Sequence, residues 1–296
     1  MTLHPKGFDL SLERVSALLA RLHDPQDHLP PVIHIAGTNG KGSASAFCRA
    51  LLEASGHSVH VHTSPHLVNW HERYRMGGRE RGELVDDETF AKAVRRVADA
   101  NAGKPITVFE ILTAVGFLLF ASHPADACVM EVGLGGRFDA TNVIKQPAVS
   151  LIMPISMDHE AYLGDRVELI AAEKAGIIKK GCPVVIGAQT ESAARDVLIE
   201  TAERLRCPLS VYGQDFHARE EHGRMVYEDE VGLLDLPLPK LTGRHQIENA
   251  GVAIAALRHA GRSGKAMGWG QEAAVERGLF SVEWPARLQR LHKGPL

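Results

Sequence analysis

The run Gly37-Thr38-Asn39-Gly40-Lys41-Gly42-Ser43 holds the residues best suited to chemistry in this chain. An apolar stretch over residues 32–36 leads into it and a helical pattern follows it. That is the context a phosphate-binding loop requires. Glycines let backbone N–H groups approach phosphate oxygens, a helix N-terminus adds positive potential, and a lysine at this place reaches the β- and γ-phosphates. The usual loop places a hydroxyl directly after its lysine; here that position is Gly42, and Ser43 follows. Gly40, Lys41, Gly42 and Ser43 are the expected nucleotide contacts. The alternative is a glycine-rich turn bearing a solvated lysine.

Other runs could carry chemistry beside it. Thr63-Ser64-Pro65-His66-Leu67 follows a second strand pattern, where a serine before proline is ordinarily turn chemistry. Thr107-Val108-Phe109-Glu110 opens a helix. Phe109 can stack on a flat heteroaromatic ring and Glu110 can accept from ring nitrogens, although a capped helix start with a dipole-favoured glutamate reads equally well. Glu131-Val132-Gly133-Leu134-Gly135-Gly136-Arg137-Phe138-Asp139-Ala140-Thr141-Asn142 sits at the C-terminal end of a strand pattern, the end at which open α/β sheets bind ligands. Gly133 and Gly135 hint at a dinucleotide fingerprint, but position 138 is Phe and no helical pattern follows, so NAD is excluded. Asp158-His159 and Glu173-Lys174 come later; a lone histidine is usually structural, and helix-face charges are usually solvated. His245 and Asn249 are one helical turn apart and share a face.

The elements that must position these residues alternate. Helical spacing covers 10–22 through Leu12, Val15, Leu18, Leu19 and Leu22. Strands are expected at 32–36, 58–62, 128–132, 148–153, 183–187 and 209–212, with helices at 43–54, 86–101, 109–122, 168–178, 191–205, 245–260 and 271–278. Residues 63–82 read as one long loop, and 214–239 as a small antiparallel extension. This alternation implies an α/β fold with a doubly wound, mainly parallel sheet. A chain of 296 residues with 45% hydrophobic content can bury one large core. Its formal net charge of -3 gives no bias toward nucleic acid or an anionic membrane. Cys48, Cys128, Cys182 and Cys207 form no C-x-x-C pair, so neither a zinc ribbon nor a redox motif is indicated. The first ten residues have no signal-peptide pattern, and the longest apolar stretch, 111–121, is too short to span a bilayer. A cytoplasmic protein is expected.

Taken together these motifs resemble, in order, those of the ATP- and magnesium-dependent ligases that add glutamate to folates, dihydrofolate synthase/folylpolyglutamate synthase of the Mur ligase superfamily. The resemblance runs from about residue 30 to residue 290. G-T-N-G-K is the superfamily's loop. Gly42-Ser43, Ser64-Pro65-His66-Leu67 and Phe109-Glu110 resemble its folate branch rather than the peptidoglycan- or cyanophycin-type ligases. The resemblance implies a Mur ligase central-domain fold and the cofactors ATP and Mg2+. It implies magnesium ligands at Ser64, Glu131 and His159, and substrate contacts at Thr107, Val108, Phe109, Glu110, Phe138, Asp139 and Ala140. Lys174 matches a lysine that is carbamylated in the family, and Lys41, Lys174 and His159 are the implied catalytic groups. Asn249 would meet the adenine end of ATP and Arg287 its phosphates, although Ala286 stands where the family has glycine. The reaction implied is ligation of glutamate to dihydropteroate or a folate, with small-molecule partners only, no nucleic acid or membrane, and a monomer. Residues 1–283 would form the ATP-binding domain and 284–296 the start of a linker to a C-terminal domain beyond this sequence. A binding domain without turnover is the alternative.

Overall fold

The computed structural model describes residues 11–79, 81–157, 166–264 and 266–286. Eight strands form one sheet: β1 (Val32–Ala36), β2 (Val59–His62), β3 (Tyr74–Met76), β4 (Glu83–Leu84), β5 (Ala127–Glu131), β6 (Val149–Ile152), β7 (Val184–Ile186) and β8 (Leu209–Val211). Their order is β4-β3-β2-β5-β1-β6-β7-β8. The six strands from β2 to β8 in that order are parallel, as the alternation predicts.

Helices cover both faces. Along β1, Ile33 and Ile35 point into a core with α2 (Lys41–Ala54), α7 (Arg244–Arg262) and α8 (Glu272–Ser281). Val32 and Ala36 point the other way. On that face α1 (Glu13–Arg21), α3 (Asp87–Asn101) and α4 (Val108–Ala121) bury one half. Helices α5 (Val167–Ala175) and α6 (Ser192–Arg204) bury the other. The strands are apolar on both faces because both are covered. Helix α4 is buried nearly all round, matching its unbroken apolar composition.

A three-stranded antiparallel sheet, β9 (Phe216–Glu221), β10 (Arg224–Asp229) and β11 (Gly232–Leu236), supplies the expected extension. It rests on α7 at Gly251, where an added Cβ would lie 2.4 Å from Ala218 Cβ.

Residues 63–82 correct the sequence reading. They hold a 3-10 turn, Trp70–Arg73, and the strand β3, which pairs antiparallel with β2 and with β4. Strands of three and two residues are too short to display period-2 alternation. Tyr74 anchors β3 instead: it is fully buried and its hydroxyl donates to the Leu112 carbonyl at 2.8 Å. The other elements lie within a few residues of their expected bounds. The one shift that matters chemically is α2, which begins at Lys41 rather than Ser43.

Candidate active site

The C-terminal ends of β2, β5, β1 and β6 lie side by side, and the phosphate-binding loop leaves β1 between β5 and β6. The chain turns there with left-handed glycines, Gly37 at φ 147° and Gly40 at φ 82°. Only glycine fits position 37, since a Cβ would also lie 2.6 Å from Met153 Cβ. The N–H groups of Thr38 and Asn39 donate to the Pro154 carbonyl at 2.9 and 3.2 Å, pinning the loop to the strand end beside it. Gly40 caps α2, so the N–H groups of the first turn open at the loop.

Two lysines converge on this backbone. Lys41 Nζ donates to the carbonyls of Gly37 at 2.8 Å and Thr38 at 3.2 Å. Lys174 Nζ, reaching across from α5, donates to the same Gly37 carbonyl at 3.1 Å. Lys174 is 5% exposed, so it is no solvated surface charge. Its helix is fastened next to the glycine-rich run after β5: Arg137 N–H donates to the Glu173 carbonyl at 2.8 Å, and Asn142 Nδ2 to the Gly176 carbonyl at 3.1 Å. Gly136 and Gly176 permit this approach; a Cβ on Gly176 would lie 2.4 Å from Arg137 Cα.

Asn249 and Trp284 close the other side. A Cβ on Gly40 would lie 2.7 Å from Asn249 Oδ1, so Asn249 stands directly against the loop's cap. The Trp284 ring occupies the space a side chain at Gly42 would need, with its nearest ring carbon 2.7 Å from that Cβ position. Glu283 beside it is paired with Arg81 and with Lys240 at 3.1 Å, and these partners, Arg81 foremost, hold its carboxyl down at about 2.

Glu131 ends β5, buried, beside Ile35 of β1. Ser64 lies just past the end of β2, whose last pair with β5 is His62 with Met130. The Ser64 hydroxyl and the Glu131 carboxylate are thus at the same sheet edge as the phosphate-binding loop. Two hard oxygen donors fit magnesium, which completes its shell with waters and phosphate oxygens rather than with an all-protein cage. No cluster of three or more His, Cys, Asp or Glu able to hold a metal occurs among the described residues. His159 and Arg287 lie outside the described residues.

The segment after Ser64 braces itself. Glu72 accepts from the N–H groups of Leu67, Val68 and Asn69 at 2.7, 3.0 and 2.7 Å, and these bonds, Asn69's foremost, lower its pKa. Arg73 Nε donates to His66 Nδ1 at 2.9 Å and its guanidinium lies over Trp70.

The aromatic motif faces the same region. Phe109, at the start of α4, packs its ring end against Gly133: a Cβ there would meet the ring at 2.3 Å. Gly133→Ala is therefore expected to push Phe109 off its seat and to cost about 1–3 kcal/mol, read as a lower urea midpoint with an unchanged m-value. Full stability in this variant would show that the contact is not tight. Phe138 is 40% exposed with the Arg137 guanidinium over its ring. Thr107, Val108 and Phe109 are half-buried.

Glu110 and Asp139 face inward. Glu110 forms a capping box with Thr107 and takes an ion pair from Arg14 at 3.2 Å. Asp139 accepts from the N–H groups of Gly133, Leu134 and Thr141 and from the Thr141 hydroxyl, at 2.6–3.0 Å. Burial raises its pKa against the opposing pull of these bonds. It shapes the loop that displays Phe138, and Ala140 is buried beneath.

A histidine that no motif singled out completes this network. The Thr141 hydroxyl gives its proton to Asp139, so His34 must donate from Nε2 to Thr141 Oγ1, 2.8 Å away. His34 is fully buried, and burial, with Lys179 adding, pushes its pKa from 6.5 down to about 3. The folded protein thus holds His34 neutral, and its pKa is depressed on folding. That contribution to stability is complete above pH 6.5 and is lost as pH falls from 6.5 toward 3. Between pH 7.5 and pH 5 the loss should be about 2 kcal/mol, measured by urea unfolding. His34→Gln, which keeps a donor but cannot titrate, should lose less stability over the same range. An identical decline in both proteins would assign the effect elsewhere.

Trp284, Met153, Arg14, Glu72 and His34 were not expected at the site. Only Trp284 carried a signal, its place three residues before Arg287.

A doubly wound sheet with a lysine-bearing glycine loop at its switch point and a carboxylate on the neighbouring strand end defines a nucleotide-binding domain of the P-loop kind. Residues 35–257 match the Mur ligase middle domain. The chain belongs to the Mur ligase family, in its dihydrofolate synthase/folylpolyglutamate synthase branch. It is 35% identical to the dihydrofolate synthase/folylpolyglutamate synthase of Bacillus subtilis over 98% of this chain and 68% of that protein. Among solved structures, the apo form of L. casei FPGS superposes with a TM-score of 0.88 at 32% identity, covering 99% of this chain and 72% of that one. E. coli FolC in complex with DHPP and ADP gives 0.86 at 33% identity, covering 97% and 65%. The chain spans about two thirds of the length of these relatives. No helix among the described residues is long and apolar enough to cross a membrane.

Proposed function

We propose that this chain binds ATP with magnesium and takes part in ATP-dependent ligation of L-glutamate to dihydropteroate or a folate. The observation that carries the reading is the convergence of Lys41 and Lys174 on one loop carbonyl, at the sheet edge that also holds Glu131 and Ser64. E. coli FolC, to which the chain is similar throughout, was solved with DHPP and ADP.

In this reading the N–H groups of residues 40–43 and the Lys41 ammonium hold the β- and γ-phosphates. The Lys41 ammonium then exchanges backbone carbonyls for anionic oxygens, a stronger class of hydrogen bond. Ser64 and Glu131, with His159, would hold magnesium, which when bound neutralises charge between the β- and γ-phosphates. Phe109 and Phe138 present flat faces for a pterin or aminobenzoyl ring, and the pairs Thr107–Glu110 and Asp139–Thr141 fix where those faces stand. Asn249 and Arg287 would complete the nucleotide contacts. Lys174 would serve as a carbamate, which turns a cation into an oxygen acceptor. The substrate carboxylate attacks the γ-phosphorus, the bond to the β–γ bridging oxygen breaks and ADP leaves, which gives an acyl phosphate; the neutral amine of glutamate then attacks the acyl carbon, loses a proton and displaces phosphate to form the amide. The protein contributes position and charge. Residues 1–283 act as the nucleotide-binding unit in a monomeric cytoplasmic protein.

The test is phosphate release from ATP in magnesium and bicarbonate, with glutamate and either dihydropteroate or tetrahydrofolate. Release that needs both the pteridine and glutamate, and that disappears in Lys41→Ala, is expected; the better pteridine identifies the step. Release independent of the pteridine would overturn the reading. No release with nucleotide binding intact would restrict this chain to the binding role.

A further inference from the structure

At the end of the sheet away from this site, two cysteines are brought together by one backbone acceptor. Strands β7 and β8 pair in parallel with Val184 opposite Leu209 and Ile186 opposite Val211. Cys182 and Cys207 each lie two residues before the first of these pairs, where the ladder gives way to turns: Cys182 N–H bonds within its own segment, to the Lys179 carbonyl at 2.9 Å. Backbone bonds hold the two segments together on both sides of this pair: Gly181 N–H donates to the Leu205 carbonyl at 3.0 Å, and Val184 N–H to the Pro208 carbonyl at 2.8 Å. Neighbouring strands are about 4.8 Å apart, inside the Cα separation of roughly 4.4–6.8 Å that a disulfide spans.

Val184, Ile186 and Val211 belong to one core beneath α5 and α6, Leu209 and Cys207 pack against it, and Cys182 is buried. One acceptor ties the thiols together. The Lys179 carbonyl accepts from Cys182 N–H at 2.9 Å and from Cys207 Sγ at 3.2 Å, placing the Cys207 sulfur within two short contacts of the Cys182 backbone. Both cysteines are reduced, Cys182 buried and Cys207 partly exposed; Cys48 and Cys128 are fully buried.

We propose that Cys182 and Cys207 form an oxidation site, closing an intrachain disulfide when the chain meets a disulfide or comparable thiol oxidant. With oxidised glutathione the more exposed Cys207 thiolate attacks one glutathione sulfur, forms a mixed disulfide and releases one glutathione. The Cys182 thiolate then attacks Cys207 Sγ and releases the second. The two protein thiols lose two protons and two electrons, and one oxidised glutathione becomes two reduced ones. The crosslink ties the edge strand β8 to β7 and closes the loop containing α6, limiting the unfolded chain.

The experiment is incubation of the folded chain with oxidised glutathione, followed by alkylation, non-reducing digestion and mass spectrometry, on the wild type and on Cys182→Ser and Cys207→Ser. A Cys182–Cys207 crosslinked peptide is expected in the wild type, with Cys48 and Cys128 alkylated only after denaturation. Cys182→Ser should stop at a glutathione adduct on Cys207, and Cys207→Ser should give no crosslink. The oxidised wild type should melt roughly 5 °C above the reduced protein. A glutathione adduct that persists on wild-type Cys207, crosslinks to Cys48 or Cys128, or four unmodified thiols would each overturn the proposal.

Discussion

Lys174→Ala is expected to lower pteridine-dependent phosphate release by about 10²–10³-fold, the effect of removing one preorganised polar group from a water-excluded site. The side chain is buried and ends 3.1 Å from the Gly37 carbonyl, so its loss alters charge and packing where the phosphates would lie. Lys174→Arg separates two explanations. An arginine can still donate to that carbonyl but cannot take up carbon dioxide. A capping role alone would leave the arginine variant active; a carbamate would leave it as impaired as the alanine variant and make wild-type turnover depend on bicarbonate. Arginine activity near wild type would remove the carbamate from the account. Thermal unfolding of both variants, run beside the assay, shows whether the fold survives each change.

Gly42→Thr should be nearly as damaging, although it restores the residue usual in phosphate-binding loops. The Trp284 ring lies 2.7 Å from where the threonine Cβ would be. The Trp284 ring is half-buried against the cluster beneath α2, α7 and α8, which limits how far it can swing aside. Overpacking of this kind costs about 1–3 kcal/mol. The variant is expected to show a shifted tryptophan emission, a lower melting temperature and weaker nucleotide binding. Unchanged emission with normal nucleotide affinity would show that position 42 tolerates a side chain and that the ring is not its constraint. The glycine after the lysine is thus explained by a partner 242 residues further along the chain rather than by the phosphate.

That contact shows where sequence reading stops. The strand–loop–helix order around Lys41, the buried α4 and the carboxylate at the end of β5 were legible because each rests on local pattern: periodicity, glycine spacing and the turn from strand to helix. Strand β3 was not, because its one anchor is a long-range contact between Tyr74 and Leu112. Lys174 read from the residues alone as a solvated helix-face charge; only the family resemblance set it in the site, and its burial depends on the approach of α5 to Gly136. Glu110 and Asp139 were readable as carboxylates near a substrate, but not as carboxylates turned inward, since Arg14 and Thr141 reach them through the fold. His34 sat within a strand pattern with nothing to distinguish it from an ordinary core position.

The central claim is that this loop and its lysine hold a magnesium–nucleotide complex. Titration calorimetry of ATP into the chain, with and without magnesium, tests it most directly, with Lys41→Ala alongside. The account predicts magnesium-dependent binding that Lys41→Ala weakens by about 10–100-fold, the value of one hydrogen bond between charged groups. Equal affinity in the two proteins, or no binding by the wild type, would contradict it.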